Sequence, residues 1–468
     1  MTEALAIPGR RLDSLDVLRG LTIAAMLMVN NPGSWGHIYW PLEHAAWNGW
    51  TLTDLVFPFF LFMVGMSMMY SFPKRLEAGD SRRALFGHVA RRAAALVLLG
   101  WWGGTWSRVF WPGDGAAFLA GGSADLFAGL MLRIGFIGAV VTAAVLLVGT
   151  QRKVFWRRLL WSSFLVFALG AAKLGLDDPL LARLAGMRYP GVLVRIGVCY
   201  LLASGIYFWT PDPRKIGYWI IGLLGFYGVW MMLIPIPGFG LPDLSRGFPT
   251  DETRISELFS NWAFYIDYHV LGAHTWSARQ LYDPAGSLIW SFDPEGLIST
   301  ISAVGSVLFG ILAGVWMQRK DLDDSARLNG LFVGAAWLMG IGLVMSIWMP
   351  INKRLWTSSY TVFTSGMALL VLATLFHLVD IKGIRRWAQP FRAYGRNAIF
   401  AFVASGMMAT AMGSIRLGDT PVKTAAYDAL LQLTGNPKLG SFLFAVLFVA
   451  LWAGIAMWMD RRKIYFKV

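Results

Sequence analysis

The chain has 468 residues, of which 56% are hydrophobic and only 15% are charged, and its mean hydropathy is +0.54. A soluble domain carries roughly 45–50% apolar and about 25% charged residues. The composition therefore excludes a soluble multidomain enzyme and a disordered chain, and the single cysteine, Cys199, excludes a fold held by internal disulfides. These numbers predict a polytopic membrane protein.

Twelve apolar segments approach the length of roughly 20 residues that a helix needs to cross a bilayer. In chain order they are 15–31, 53–72, 84–106, 126–148, 155–174, 191–209, 216–235, 297–317, 327–349, 358–379, 396–414 and 440–459. We expect an all-α bundle of about 12 spans (10–12) embedded in the lipid bilayer. It forms a single transmembrane domain over residues 1–468.

The distribution of basic residues predicts the orientation of the bundle. There are 41 lysines and arginines against 27 aspartates and glutamates, a net charge of +14. The basic clusters fall in alternate loops, at 74–92, 152–158, 214–215, 319–327, 382–396 and 461–467. Cytoplasmic loops of membrane proteins are enriched in lysine and arginine. We therefore expect both termini inside, and the charge needs no nucleic-acid partner.

Two segments on the predicted outer side have unusual compositions. Residues 31–54 contain four tryptophans and two histidines but no lysine or arginine. Residues 236–296, between the seventh and eighth spans, are too polar to span and too aromatic for a plain linker. Long ordered loops are usually functional, so we expect 236–296 to form a cap over the outer mouth of the bundle.

A charge inside a membrane span costs about 3 kcal/mol, so a charged residue in a span marks a candidate site. Arg195, in GVLVRIGVCY, falls in the first turns of its span on the outer side. It either serves a site or pairs with a structural carboxylate or the interface. Arg19 lies with Asp13 and Asp16 at the cytoplasmic end of the first span. That trio is either an interfacial ion cluster or part of a site for an anionic ligand entering from inside.

Several polar residues at span ends fit helix capping as well as function. Asp54 opens the second span, where an acid satisfies free N–H groups. The range Asp293–Glu295, with proline in its middle, fits an N-cap, a first-position proline and a first-turn acid for the eighth span. Asn30 ends the first span and fits a C-cap. Capping does not exclude ligand binding at these positions.

His44 is the sharpest candidate for chemistry. It precedes Trp47 and Asn48 and lies ten residues before Asp54. No histidine pair has zinc-site spacing, and no Gly-x-Ser-x-Gly or Walker loop occurs, so the sequence predicts no metal. Histidine acid–base catalysis is the leading chemical interpretation. The alternative is an ordinary loop histidine.

Motifs around these residues resemble a known family. LDVLRGLTIAAMLMVNN followed by EHAAWNGWTLTDLVFPFFLFMVG is similar to the start of the transmembrane domain of the heparan-α-glucosaminide N-acetyltransferase family, which includes bacterial NagX-like proteins. YPGVLVRIGVCY (189–200), FDPEGLIST (292–300) and PINKRLWTSSYT (350–361) resemble it in the same order. The resemblance implies a multi-pass protein of the bacterial inner membrane and leaves a homodimer open.

The resemblance also implies an activity and a site. The reaction transfers acetyl from cytoplasmic acetyl-CoA, the co-substrate, to the amine of a glucosamine-type sugar on the periplasmic side. His44 is implied as general base or acetyl carrier, with Asn30 and Asp54 in the same catalytic site. The remaining expected contacts are Trp47, Asn48, Asp293, Glu295, Asn352, Lys353 and Trp356 for the sugar, and Arg19, Arg195 and Asn397 for acetyl-CoA.

Elementary chemistry is consistent with these roles. An amino-sugar amine is largely protonated at neutral pH, and a neutral imidazole at His44 can take its proton. Asn30 can donate a hydrogen bond to the developing oxyanion. Asp293 or Glu295 can hold the ammonium group, and Trp47 can stack on the sugar ring.

Two other functions remain open at this point. About twelve spans with buried charges and an aromatic outer mouth also suit a sugar or amino-sugar transporter. Acylation of a hydroxyl group on a surface glycan is the second alternative. The identity of the acceptor is not encoded in any motif described above.

Overall fold

The computed structural model describes residues 12–110, 123–148, 153–174, 186–250 and 253–466. These residues are predominantly helical, which confirms the all-α class apart from two small hairpins. In chain order the α-helices are α1 (Asp13–Asn30), α2 (Leu52–Glu77), α3 (Arg82–Phe110), α4 (Ser123–Val148), α5 (Lys153–Leu174), α6 (Val192–Trp209), α7 (Pro213–Leu233), α8 (Trp262–Ile266), α9 (Ser299–Met317), α10 (Asp324–Met345), α11 (Ser358–Leu375), α12 (Gln389–Arg396), α13 (Ala398–Ser414), α14 (Val422–Thr434) and α15 (Pro437–Arg461).

Eight helices in the described ranges are long and apolar enough to cross a membrane. They are α2, α5, α6, α7, α9, α10, α11 and α15, and each coincides with a predicted span. The bent pair α12 and α13 makes a ninth if it is counted as one span. The segments 15–31, 84–106 and 126–148 are also helical but do not meet the same criterion. The multi-pass fold is thus confirmed, whereas the count of twelve is not.

The helix α2 lies at the centre of the bundle, in contact with α1, α6, α9 and α11. Its closest neighbour is α9, because both helices carry glycine at the crossing. A Cβ at Gly65 would come within 1.9 Å of the Val307 carbonyl oxygen, and one at Gly310 within 1.9 Å of the Phe62 oxygen. Small residues allow such close helix packing in membranes.

The described residues of segment 236–296 form a folded unit rather than a loose connection. Strand β1 (Gln280–Tyr282) pairs antiparallel with β2 (Leu288–Ser291). Phe264 in α8 is fully buried between Trp290 and Phe292, whose ring centroids lie 5.0 and 4.9 Å away. These large aromatic surfaces account for the high aromatic content of the segment.

The N-terminal ends of four helices meet at one end of the bundle. Lys353, just before α11, lies 3.7 Å from Asp54 in α2. Arg195 in α6 donates a hydrogen bond to Ser299, the first residue of α9. The loops that precede these four helices therefore converge around one space.

A second hairpin and one additional helix occupy the segment between the last two predicted spans. Strand β3 (Arg416–Leu417) pairs with β4 (Thr420–Pro421), and α14 follows directly. The sequence analysis assigned no structure to this segment between the predicted spans 396–414 and 440–459. Its helix packs along α15.

Candidate active site

A cavity of about 270 Å³ lies where the four helix starts meet. Six of the predicted site residues line it: Asn30, His44, Trp47, Asp54, Glu295 and Lys353. Three arginines that the sequence interpretation did not assign to the site also line it: Arg188, Arg279 and Arg354. Since these residues come from six separate stretches of the chain, the tertiary fold assembles the cavity.

His44 and Asp54 form a hydrogen-bonded pair in the cavity wall. Nδ1 of His44 lies 2.7 Å from Oδ1 of Asp54. Oδ2 of Asp54 accepts the backbone N–H of Ala45 at 3.0 Å and that of Thr51 at 3.1 Å. Asp54 therefore caps α2 and also contacts His44. An ionised carboxylate only accepts hydrogen bonds, so the pair places the imidazole proton on Nδ1 and the lone pair on Nε2.

Lys353 approaches the same pair. Its Nζ lies 3.1 Å from Nδ1 and 3.4 Å from Nε2 of His44. Burial lowers the pKa of His44 below its usual 6.5; the hydrogen bond to Asp54 opposes this, and the charge of Lys353 adds to it. Burial also lowers the pKa of Lys353, against the attraction of Asp54. His44 is thus a neutral imidazole at neutral pH, the form that accepts a proton.

Arg188 connects two predicted acidic residues to the cavity. Its Nε donates to Oδ2 of Asp293 at 2.6 Å, and its Nη2 lies 2.5 Å from Oδ1 of Asp293 and from Oε2 of Glu295. Burial favours the neutral form of Glu295, but the combined attraction of Arg188, Arg195 and Lys353 outweighs it and lowers the pKa. Both carboxylates that were expected to hold an ammonium group are therefore bound to a guanidinium.

The structure corrects the predicted capping role of Asp293. Helix α9 begins at Ser299, and Ile298 occupies its N-cap position. Asp293 lies six residues earlier in a turn, with no exposed surface. The proline and the two acids together suggested a helix cap. The carboxylates of Asp293 and Glu295 instead pair with Arg188. The sequence analysis did not assign Arg188 to the site, although it directly precedes the motif YPGVLVRIGVCY.

Replacing Arg188 by alanine is expected to lower the free energy of unfolding by roughly 3–5 kcal/mol, because buried carboxylates lose their partner. Denaturant titration in detergent, followed by tryptophan fluorescence, measures the change.

The matched control for Arg188→Ala is Arg246→Ala. Arg246 lies 3.2 Å from Asp243 and 3.4 Å from Glu257, but its side chain is 51% exposed. Losing an exposed pair costs less than about 1 kcal/mol. Equal losses in the two variants would contradict the structural role of Arg188.

Asn48 and Asn352 hold two loops together beside the cavity. The Nδ2 of Asn352 donates to Oδ1 of Asn48 at 2.9 Å, and the Gly49 N–H donates to the Ile351 carbonyl at 2.7 Å. Asn352 is fully buried. Neither asparagine lines the cavity, so both fix the relative positions of the loops that carry His44 and Lys353.

Arg195 and Trp356 lie behind the cavity wall. Arg195 is buried, its Nη2 donates to the Gly296 carbonyl at 2.9 Å, and its guanidinium lies 5.2 Å from the Trp356 ring centre. Neither residue lines the two cavities described here. Both residues lie in a bracing position at the start of α9, and the expected contacts of Arg195 with acetyl-CoA and of Trp356 with the sugar stay predictions.

Asn30 lines the cavity, whereas the next residue, Asn31, caps the C-terminal end of α1. The Nδ2 of Asn31 donates to the Leu27 carbonyl at 2.8 Å. Asn30 is exposed and lines the cavity. The C-cap interpretation thus applies to Asn31, and Asn30 is positioned to contact a bound molecule.

A larger cavity of about 600 Å³ extends toward the start of α1 and the end of α2. Basic side chains line it: Arg19, His88, Arg92 and Arg396. Met26 and Val192 line both cavities, so the two spaces adjoin at these side chains. Together they extend from the His44 pair into the basic half of the bundle.

The three charged residues at the start of α1, Asp13, Asp16 and Arg19, take part in separate ion pairs. Arg19 donates to Asp16 at 3.1 Å and to Ser67 at 2.8 Å while lining the larger cavity. Asp13 instead pairs with Arg392 at 3.4 Å. Arg19 is thus both part of an ion pair and accessible to a ligand.

Asn397 lies at the 87° bend between α12 and α13. Its Nδ2 donates to the Ile464 carbonyl at 3.0 Å, and its Oδ1 accepts the Phe466 N–H at 3.0 Å. Phe466 lines the larger cavity, whereas Asn397 does not. Asn397 therefore positions the chain at Ile464–Phe466 beside the larger cavity, and its expected contact with acetyl-CoA stays a prediction.

Within the described ranges, no three histidine, cysteine, aspartate or glutamate side chains are grouped to hold a metal ion.

Comparison with known proteins gives no match to any family model. The chain is 26% identical over 430 residues to "Heparan-alpha-glucosaminide N-acetyltransferase" of Mus musculus and 25% identical over 498 residues to the protein of that name from Homo sapiens. The alignments cover 84% and 98% of this chain but only 53% and 60% of those relatives. The matches confirm the predicted resemblance and support a family-level relationship between this chain and the heparan-alpha-glucosaminide N-acetyltransferases.

Proposed function

We propose that this chain is a membrane-embedded acetyltransferase that moves an acetyl group from cytoplasmic acetyl-CoA to the amine of a glucosamine-type sugar on the periplasmic side of a bacterial inner membrane. The observation that carries the proposal is the His44–Asp54 pair, 2.7 Å apart, in the wall of a cavity. The names of the two relatives give the reaction class. Acetyl-CoA is the proposed donor of the acetyl group in a reaction of that class.

The proposed reaction uses Nε2 of His44 as the base. The sugar nitrogen attacks the thioester carbonyl carbon, the N–C bond forms and the C–S bond breaks. The proton of the amine passes to Nε2 and from there to the departing CoA thiolate. Asn30 donates to the carbonyl oxygen as negative charge develops on it. An acetyl-His44 intermediate is the alternative, and labelled acetyl retained on the protein without acceptor distinguishes it.

Two adjoining cavities support transfer between the two sides of the membrane. The larger one has the basic lining that suits the phosphates of CoA, including Arg19, and it adjoins the His44 cavity at Met26 and Val192. A pantetheine arm that passes these side chains delivers the thioester to His44. Trp47 lines the His44 cavity and offers its ring to the sugar.

The proposed topology has about 12 spans with both termini in the cytoplasm, and the 236–296 unit as an outer cap. In that topology the second, sixth, eighth and tenth spans all start on the outer side. Their counterparts are α2, α6, α9 and α11, whose starts converge on the His44 cavity. This convergence supports the alternation of crossings and the outer position of the site.

The activity is tested directly with purified protein, acetyl-CoA and glucosamine, by measuring the release of free CoA. Glucosamine-dependent release supports the proposal, whereas uptake of glucosamine into vesicles without CoA release supports a transporter. N-acetylglucosamine is the matched control acceptor, because it lacks the free amine. Equal turnover of both sugars would indicate O-acylation.

The pKa of His44 gives a pH prediction. Diethyl pyrocarbonate reacts with neutral imidazole, so its rate of inactivation should reach half its maximum below pH 6.5, the usual pKa of histidine, because burial lowers that of His44. In Lys353→Gln the midpoint should move to higher pH, since a neighbouring positive charge is removed. A midpoint above 6.5 in the wild type, or a downward shift in the variant, would contradict this electrostatic description.

A further inference from the structure

The passage between the two cavities is bordered by two apolar side chains. Met26 of α1 and Val192, the first residue of α6, line both the cavity of about 600 Å³ and the cavity of about 270 Å³. No other residue in the described ranges lines both. Since α1 and α6 each pack against α2, the two side chains reach the passage from different helices. We call this place the Met26–Val192 junction.

Helix α1 gives the order of the residues along the passage. Arg19 lines the larger cavity seven residues before Met26, and Asn30 lines the His44 cavity four residues after it. At about 1.5 Å per residue, these intervals are roughly 10 Å and about 6 Å along the helix axis. Spacings of four and seven residues keep side chains on one face of a helix. The junction therefore lies between the basic lining and Asn30.

This order determines what has to pass the junction in the proposed reaction. The phosphates of CoA lie at the basic end, and the thioester carbonyl lies at His44 and Asn30. The acyl group therefore leads, and the pantetheine arm follows it past Met26 and Val192. Beyond the junction the space widens again into the cavity of about 270 Å³. The narrow step in the path of the acyl group is thus the junction itself.

The two side chains of the junction differ in stiffness. Valine is branched at Cβ and has few rotamers, so Val192 forms a fixed wall. Methionine is unbranched and has three rotatable bonds, so Met26 can move aside for a thin chain. Met26 is buried and Val192 half-buried, and forcing extra width between packed apolar groups is unfavourable. Such a junction admits an unbranched chain more readily than a branched group.

We propose that Met26 and Val192 form a filter for the width of the acyl group, which admits acetyl and unbranched acyl thioesters to His44 and excludes branched ones. This inference rests on the proposed function and narrows the class of donor that the chain can use. The two residues touch the donor along its path and take no part in the chemistry.

The test compares two isomeric donors, butyryl-CoA and isobutyryl-CoA. Their binding to the full chain in detergent, without an acceptor, is measured by isothermal titration calorimetry. The isomers contain the same atoms, so they differ in the branching of the acyl group and little in apolar character. One carbon too many in a tight apolar site typically costs tenfold or more. We therefore expect the wild type to bind butyryl-CoA at least about tenfold more tightly.

Two variants open the junction from opposite sides. Met26→Ala should bring the ratio of the two affinities close to one, because it removes the longer side chain. Val192→Ala removes two methyl groups and keeps a good helix former at the start of α6, and it should lower the ratio as well. Binding of butyryl-CoA shows that a variant is folded, and either variant alone can decide the test.

Ile23→Ala and Val29→Ala are the matched controls. The two residues lie in α1 about one turn before and one turn after Met26. Of the two adjoining cavities, Ile23 lines only the larger one and Val29 only the His44 cavity. Both variants remove apolar volume from the path without touching the junction, so both should keep the wild-type ratio.

Three results would overturn the filter. The first is equal affinity of the wild type for the two isomers, and the second is an unchanged ratio in the folded junction variants. The third is a loss of the ratio in the controls that matches the loss in Met26→Ala, because the discrimination would then lie elsewhere. A wild type that binds acetyl-CoA tightly and both isomers equally weakly selects for length, which also contradicts a filter for width.

Because binding is measured without turnover, the filter and the proposed function fail separately. A chain that discriminates between the isomers but releases no CoA with glucosamine would refute acetyl transfer alone. A chain that transfers acetyl to glucosamine but binds both isomers equally would refute the filter alone.

Discussion

Replacing His44 by alanine is expected to reduce the initial rate of acetyl transfer to glucosamine by about 10²–10⁴-fold, the usual contribution of a positioned base. The side chain lines the cavity, and its Nε2 is the proposed proton acceptor. Release of free CoA at saturating acetyl-CoA measures the rate. Binding of acetyl-CoA to the variant should persist, because the proposed CoA contacts lie in the larger cavity.

His269→Ala is the matched control for this variant. His269 is an exposed histidine of the 236–296 unit whose Nδ1 lies 2.8 Å from the Tyr265 carbonyl oxygen. It lies outside both cavities, and its replacement should leave the rate unchanged. Full turnover by His44→Ala would refute the assignment of the base even if the acetyltransferase activity were real.

Replacing Asp54 by asparagine is expected to lower kcat by on the order of 10²–10⁴-fold, because an amide no longer enforces the Nδ1–H tautomer of His44. The amide oxygen can still accept the Thr51 N–H, so the start of α2 should persist. Removing the carboxylate also removes a contact that raises the pKa of His44, so that pKa should fall further.

The loss of kcat in Asp54→Asn is attributed to the orientation of His44 only if the variant still folds normally. Asp243→Asn, at an exposed carboxylate of the 236–296 unit, is the control and should keep the wild-type rate. A variant of Asp54 with normal helicity, normal acetyl-CoA binding and a wild-type rate would exclude a role for the carboxylate in orienting His44.

The apolar segments predicted the long helices well, because a run of about 20 apolar residues has few alternatives to a membrane helix. The bend at Asn397 was not predicted, although Gly395 lies two residues before it. The start of α9 at Ser299 was also missed. Asp293 and Pro294 form a persuasive local capping signal, and only the long-range contact with Arg188 overrides it.

The motifs identified the sequence positions of the site but not how the residues pair. His44 and Asp54 are ten residues apart, so a contact between them can be inferred from the local sequence. The contacts of Lys353 with His44 and of Arg188 with Asp293 span 309 and 105 residues, so no local pattern specifies them.

The most direct test of the central claim uses proteoliposomes with labelled acetyl-CoA enclosed on one side and glucosamine added only on the other. The account predicts labelled N-acetylglucosamine on the side of the sugar and free CoA on the side of the donor, with little product from His44→Ala. Product that forms only when both substrates occupy the same side would contradict transfer across the membrane.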